Sequence, residues 1–549
     1  MLRDTHSTEL EETDEDAESA ELIPSKSPAE LRQRRRRNRR LQLTCAFNIL
    51  NGTLGPGMLV LPLAFSRTGL SLGLALLVLD WSMSYIALRM LLETSAHVGA
   101  NSLVELARAH GPRMSLLVDW SVVLYFYGTC ISYLILIGGT FDHLLHYHYS
   151  GSAAAAAASS AAAAAAALAI GVPPHGRGLA ELVQASSPPS AASQAALAAA
   201  SCLMCEGNET MTPGRTIVTV FREEAWKHAP DRGDALLSVF TLGLMLPLSC
   251  STSLDALGSF SAIVSALYAY LCGTVWSVRE RATKAAATRA ARAVGWWPVM
   301  QAIPTMVYCF STQAVYLPAL EALHEHAVGG AQPHGGRHAA KQARQMARGV
   351  TDATFLLTLL AYASCGVGGF LHAPGVPAPN VLDSFHPTGP LLLAYVCLVF
   401  ALSLSFPVMF VVARTHVASL LRVPPEAAVW RVTGVLILLS LAIAIGVPSI
   451  DAALGLLGAT CSVTLCFIIP AVLYLRLVCG HRDVAGGPPP SPFKAHLLIA
   501  FGLLVACLSI PVQLWELFHE HLTPERSYVP RPAGIAVEHK MRMEEATTN

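Results

Sequence analysis

From residue 43 to residue 515 the chain alternates long apolar runs with short polar ones. A helix needs roughly 20 apolar residues to cross a ~30 Å hydrocarbon core, and about eleven runs approach that length. The expected spans are 43–65, 70–92, 115–141, 235–250, 261–279, 296–320, 351–371, 390–412, 430–448, 451–478 and 494–515. The pattern predicts an all-α polytopic membrane protein of about 11 transmembrane helices, with the lipid bilayer as its solvent. Residues 41–515 form one transmembrane domain, 1–40 a disordered cytoplasmic tail and 516–549 a C-terminal tail, while 150–232 is an Ala-rich exoplasmic insert within the domain.

Two of the runs are interrupted. "FNILNGTLGPGMLVLPLAF" (47–65) is apolar overall, yet its middle holds Asn51, Gly52, Gly55, Pro56 and Gly57. Lipid offers no replacement hydrogen bonds, so an unwound segment at membrane depth survives only when buried in protein or lining a polar cavity. The glycines let the backbone leave helical angles and allow close approach, and Pro56 removes a donor. Freed N–H groups suit a carboxylate and freed carbonyls suit a cation. A kinked or Gly-rich packing helix is the plainer reading of this run taken alone. The span five places later, "AIPTMVYCFSTQAVYLPALEAL" (302–323), is also interrupted, with Pro304 and Pro318 around Ser311, Thr312 and Gln313. Broken helices at corresponding places in two halves mark a central solute site in transporters built from inverted repeats.

Composition changes the picture little and charge placement more. With 53% hydrophobic and 13% charged residues, the chain cannot carry the charged surface of a soluble globule. Net charge is zero, so nothing attracts nucleic acid. "RQRRRRNRR" (32–40) precedes the first span and puts the N-terminus in the cytoplasm. Later basic residues, among them Arg108, Arg113, Arg337, Lys341, Arg348, Arg414, Arg422 and Arg482, fall on the same side, and 372–389 on the opposite side holds neither Lys nor Arg. The basic stretch 278–292 runs against this count.

"SAAAAAASSAAAAAAALAI" reads as low-complexity sequence outside the membrane, partly helical because alanine favours helix. Asn208 in "NET" is a glycosylation acceptor on that side, and Cys202 and Cys205 pair there or form a chance CxxC. The first 30 residues are acidic and polar, with no signal peptide, so the first span itself targets the chain. Glu18 with Leu22 and Ile23 forms a dileucine pattern for a vesicle-sorting adaptor, or a chance match. No phosphate loop, paired CxxC zinc pattern or nucleophile elbow occurs, so an enzyme is not expected, and no organic cofactor is implied. Asp80, a carboxylate inside the second span, reads in three ways: a proton-coupling group, a structural hydrogen bond, or a position nearer the interface. Asp119 reads as a local pairing residue and Glu321 as interfacial.

The motifs together resemble the amino acid/auxin permease family, notably its sodium-coupled neutral and vacuolar amino acid transporter branches. The similarity runs through "FNILNGTLGPGMLVLPLAF", "GTCISYLILIGG" (128–139), "LPLSCSTSLDALGSFSAI" (246–263), "IPTMVYCF", "SFPVMFVVAR" (405–414) and "LGATCSVTLCFIIPAVLYLRL" (457–477), in order. The resemblance implies two inverted five-helix repeats with helices 1 and 6 broken, and an amino acid as substrate. It implies that Asn51, Gly52, Thr53, Gly55, Gly57, Tyr133, Phe310 and Thr312 bind substrate, with Phe310 as a lid. Asn51, Ser403 and Ser405 would then form a sodium site, since hard cations take oxygen ligands; the coupling ion is sodium or a proton. Two departures bear on substrate and ion: Pro56 stands where many relatives have serine, and Gln313 where many have histidine. The expected function is secondary active transport of amino acids by alternating access, in a plasma or lysosomal/vacuolar membrane. The alternatives are an amino acid sensor of the same fold with little flux, and a channel, against which the lack of a charged-ring or pore-loop pattern speaks.

Overall fold

The computed structural model describes residues 28–169 except 101, 230–250, 260–278, 295–320 except 318–319, 336–373, 376–385, 388–424, 428–480 except 448, and 492–522. Among these residues every regular element is helical. In chain order they are α1 (Pro28–Thr53), α2 (Gly57–Thr68), α3 (Leu70–Val98), α4 (Leu103–His110) and α5 (Pro112–Ala169). There follow α6 (Gly233–Ser249, through a π turn at Thr241–Met245), α7 (Ser261–Ser277), α8 (Trp296–Cys309) and a short α9 at 313–317. The remainder are α10 (Gly336–His372), α11 (Gly389–Leu420), α12 (Val429–Gly446), α13 (Ile450–Leu477) and α14 (Pro492–Leu522).

Seven of these helices are long and apolar enough to cross a membrane, and α1 with α2 makes an eighth if the bent pair counts as one span. Helix is the form lipid demands, because each segment satisfies its own backbone groups. The side chains are sorted accordingly. Leu357, Leu360, Leu438 and Leu504 stand on the outer face of the bundle, while Tyr133, Phe310, Phe355, Tyr362 and Phe406 fill its interior. Trp296 (70% exposed) and Trp430 (72% exposed) sit at the starts of their segments, the interfacial position that an amphipathic indole prefers.

Inside the bundle α5 packs along α11, α2 lies between α8 and α10, α7 meets α11, and α3 meets the second half of α13. Two ion contacts tie its ends. At one end Arg67 of α2 pairs with Asp451 of α13 at 2.6 Å and approaches Glu516 of α14 at 3.6 Å, while Gln301 of α8 donates to Glu516 at 2.7 Å. Toward the opposite end the buried Arg414 of α11 donates to the Ser249 carbonyl at 2.7 Å, so a cation stands on the negative C-terminus of α6. Asp119 meets His416 of α11 at 3.0 Å, a partner 297 positions away rather than a local one.

Several helices run past the expected spans. Helix α1 begins at Pro28, so 28–40 is helical where a disordered tail was expected, because Arg, Gln and Leu are good helix formers. Helix α5 continues through the alanine run to Ala169, and α10 starts at Gly336, well before 351. The sorting pattern Glu18, Leu22 and Ile23, the acceptor Asn208, Cys202 and Cys205, Glu321 and the basic segment from 279 to 292 lie outside the described residues.

Candidate functional site

Helix α1 ends at Thr53, and α2 starts at Gly57 with its axis turned by 53°. The turn between them is closed by short bonds, Met58 N–H to the Gly55 carbonyl at 3.1 Å and Leu59 N–H to the Pro56 carbonyl at 3.0 Å. The sixth expected span breaks too. Helix α8 stops at Cys309, Phe310 to Thr312 are non-helical, and α9 resumes at Gln313.

The breaks face each other. A side chain on Gly57 would place its Cβ 2.6 Å from the Cys309 sulfur, and one on Gly52 would stand 2.7 Å from Val315 of α9. Glycine is therefore required at both positions by the approach of the partner rod. None of the first-span glycines adopts a left-handed angle; among described glycines positive φ falls at Gly69, Gly99 and Gly111. What Gly52 and Gly57 supply is room.

Asn51, Thr53, Tyr133, Phe310, Thr312, Ser403 and Ser405 are all buried, as are Gly55 and Gly57. Asn51 accepts from the Ser405 hydroxyl at 2.8 Å and donates to Ser261 of α7 at 3.2 Å, so one amide links three helices. Ser403 is turned away from this link, its hydroxyl donating to the Val399 carbonyl of its own helix at 2.6 Å. Thr53 likewise donates to the Ile49 carbonyl at 2.7 Å, and its own carbonyl, at the end of α1, accepts the Tyr362 hydroxyl at 2.5 Å. The Tyr133 hydroxyl lies 3.7 Å from the Cβ position of Gly55. The Phe310 ring meets Tyr362 edge-on at 5.5 Å and Phe355 at 5.9 Å. Thr312 Oγ1 and Gln313 Nε2 have no hydrogen-bond partner among the described residues, whereas Gln313 Oε1 accepts from Cys466 of α13 at 2.8 Å.

The structure thus brings Asn51 and Ser405 together, sets Tyr133 beside Gly55 and places Gly52 and Gly57 against the two halves of the sixth span. It leaves Ser403 and the Thr53 hydroxyl bonded within their own helices. Tyr362 and Ser261 were missed by the sequence reading. Ser261 lies in a stretch already quoted for its resemblance, but nothing around Tyr362 marks it, since a tyrosine in an apolar helix usually only packs.

Seven apolar helices long enough to cross a membrane, with an eighth if the bent pair α1–α2 counts as one, around two buried breaks that face each other, define a multi-pass integral membrane protein. Residues 42–170 and 195–514 match the family model described as transmembrane amino acid transporter protein, and the chain belongs to that family. It is 27% identical over 222 residues to human sodium-coupled neutral amino acid transporter 4, covering 39% of this chain and 37% of that one. It is 31% identical over 93 residues to vacuolar amino acid transporter 5 of Schizosaccharomyces pombe (17% and 22% covered) and 33% identical over 106 residues to Arabidopsis thaliana amino acid transporter AVT3A (18% and 25% covered). In each case the match spans less than half of the relative's length.

Proposed function

We propose that this chain is a secondary active transporter that moves an amino acid across its membrane by alternating access. The observation that carries the reading is the juxtaposition of the two breaks, with glycines pressed against the opposite rod and polar groups of Thr312 and Gln313 left without partners between them. A zwitterion fits such a site. The positive N-terminal end of α2 suits its carboxylate, and carbonyls at the ends of α1 and α8 suit its ammonium group or a cation. In this reading α1–α2 and α8–α9 each form one span, giving about eleven spans, the first ten arranged as two inverted repeats. Tyr133 and Phe310 flank the substrate, and Gly52, Thr53, Gly55, Gly57 and Thr312 line it. Asn51 and Ser405, with Ser403 one helical face away, offer oxygens for sodium at the end of α1.

The Arg67–Asp451 pair closes one end beyond the breaks, so alternation requires that it part. Substrate shifts the balance of forms only by binding one form more tightly than the other. The membrane is the plasma membrane or a lysosomal or vacuolar one, in keeping with the two branches among the relatives.

Uptake of a panel of labelled amino acids into proteoliposomes, with sodium replaced and the pH gradient varied, tests the assignment. Accumulation of at least one amino acid against its gradient is expected. Saturable binding with no accumulation would replace the transporter by a sensor of the same fold.

A further inference from the structure

Helix α3 is largely lipid-facing, and its buried positions form one stripe that includes Leu77, Asp80, Ser84, Ala87 and Leu91. Asp80 therefore points into the protein. It lies ten residues, about 15 Å, from the start of α3 at Leu70, inside an apolar helix of 29 residues long enough to cross a membrane. Only 4% of the residue is exposed, and neither carboxylate oxygen has a hydrogen-bond partner among the described residues. Asp80 is thus held inside the bundle with no hydrogen-bonding partner among the described residues.

Among the described residues the thiols of Cys309, at the end of α8, and Cys466, on α13, lie within electrostatic reach of it. The charged groups on the packed helices are engaged elsewhere: Arg89 and Tyr85 with Asp352 of α10, and Arg67 of α2 with Asp451 and Glu516. Three further buried hydroxyls, those of Ser84 on α3, Thr305 on α8 and Ser462 on α13, also lack partners among the described residues.

An ionised carboxylate with no partner is strongly disfavoured at that depth. No group of three or more His, Cys, Asp and Glu suited to a metal occurs among the described residues. A proton satisfies the site with no further ligand. The link to the sixth-span break is short: Cys309 is the last residue of α8, and Cys466 donates to Gln313, the first residue of α9. Any opening of Phe310–Thr312 moves both neighbours of Asp80.

We propose that Asp80 is a proton-binding site: it holds one proton while the breaks are closed and exchanges it with water when the sixth-span break opens, so that a proton travels with the amino acid. The balance is simple. The carboxylate takes one proton from solution on the side to which the site is open, becomes a neutral acid as the site closes, and returns that proton to solution on the opposite side. The inference rests on the transporter reading for the travel of the proton, but not for its binding.

The test uses the purified full chain in proteoliposomes. With one proton per amino acid, an inward gradient of one pH unit supports about tenfold accumulation. The wild type should approach this, Asp80→Glu should retain it, and Asp80→Asn should exchange labelled for unlabelled amino acid yet accumulate none above equilibrium. Accumulation by Asp80→Asn equal to that of the wild type, or wild-type accumulation indifferent to the pH gradient, overturns the proposal. If no variant moves any amino acid, the transporter reading fails, and infrared spectroscopy decides the proton separately. A carbonyl stretch of a protonated acid at neutral pH, shifted in Asp80→Glu and lost in Asp80→Asn, supports the site; its absence from the wild type overturns it.

Discussion

Ser405 donates a hydrogen bond to Asn51 across 2.8 Å, joining residues that lie 354 positions apart in sequence. The bond ties the middle of α11 to the end of α1, where the first membrane-crossing rod breaks. Both side chains are buried, so the bond is made without competition from water.

Removing that hydroxyl tests the ion site. If sodium is the driver, Ser405→Ala should raise the sodium concentration for half-maximal uptake about five- to tenfold, the equivalent of one hydrogen bond or oxygen ligand worth ~1 kcal/mol. Uptake measured across a sodium titration reads this directly. An unchanged requirement removes Ser405 from the ion site.

Gly57→Leu should abolish uptake while the protein still inserts, because even the first added carbon would stand 2.6 Å from the Cys309 sulfur. The milder Gly57→Ala should lose most activity and recover part of it when combined with Cys309→Ala, which vacates the space. Uptake normalised to membrane-inserted protein is the measurement, and near-normal uptake by Gly57→Leu would count against the site.

The Arg67–Asp451 ion pair can be weighed by a double-mutant cycle. Arg67→Ala and Asp451→Ala should each lower the thermal midpoint, and the double variant should lose less than their sum, with a coupling of ~1–3 kcal/mol. The side chains keep 16% and 8% exposure, so solvent screens the pair only in part. The exchanged pair, Arg67→Asp with Asp451→Arg, should regain part of what either single reversal loses; additive losses would show that the contact carries no coupling.

Asp383 lies in the short segment between α10 and α11, outside the membrane, where burial pushes its carboxyl up to about 7 against bonds from Tyr395 and Asn380 that pull it down. The folded form thus holds a proton that the unfolded chain releases near 4, and stability falls as pH rises from about 4 to about 7. The 17% exposure of this side chain tempers the effect, and His143 at 3.9 Å opposes it when protonated. Asp383→Asn should flatten the fall in thermal midpoint over that window; an identical slope in the variant assigns the pH dependence to other groups.

Much of this molecule was legible along the chain because lipid leaves so few choices. An apolar run of sufficient length is expected to be a helix, and the matching interruptions at Asn51–Gly57 and Ser311–Gln313 favour a break over a packed Gly-rich helix. Hence the all-helical membrane class, the two interruptions and the family could be read from the sequence. The extents of α1, α5 and α10 could not, because helix continues into water wherever propensity allows, and hydropathy is silent about it.

What the tertiary structure alone decided is which polar groups meet. Asn51 finds Ser261 and Ser405 on two distant segments, Ser403 bonds its own helix, and Tyr362 caps the end of α1 from a stretch with no distinguishing pattern. That Asp80 is buried, within electrostatic reach of Cys309 of α8 and Cys466 of α13, is likewise a fact of the packing. Side-chain meetings of this kind depend on the packing of rods far apart in sequence, and hydropathy measures each rod only against its solvent.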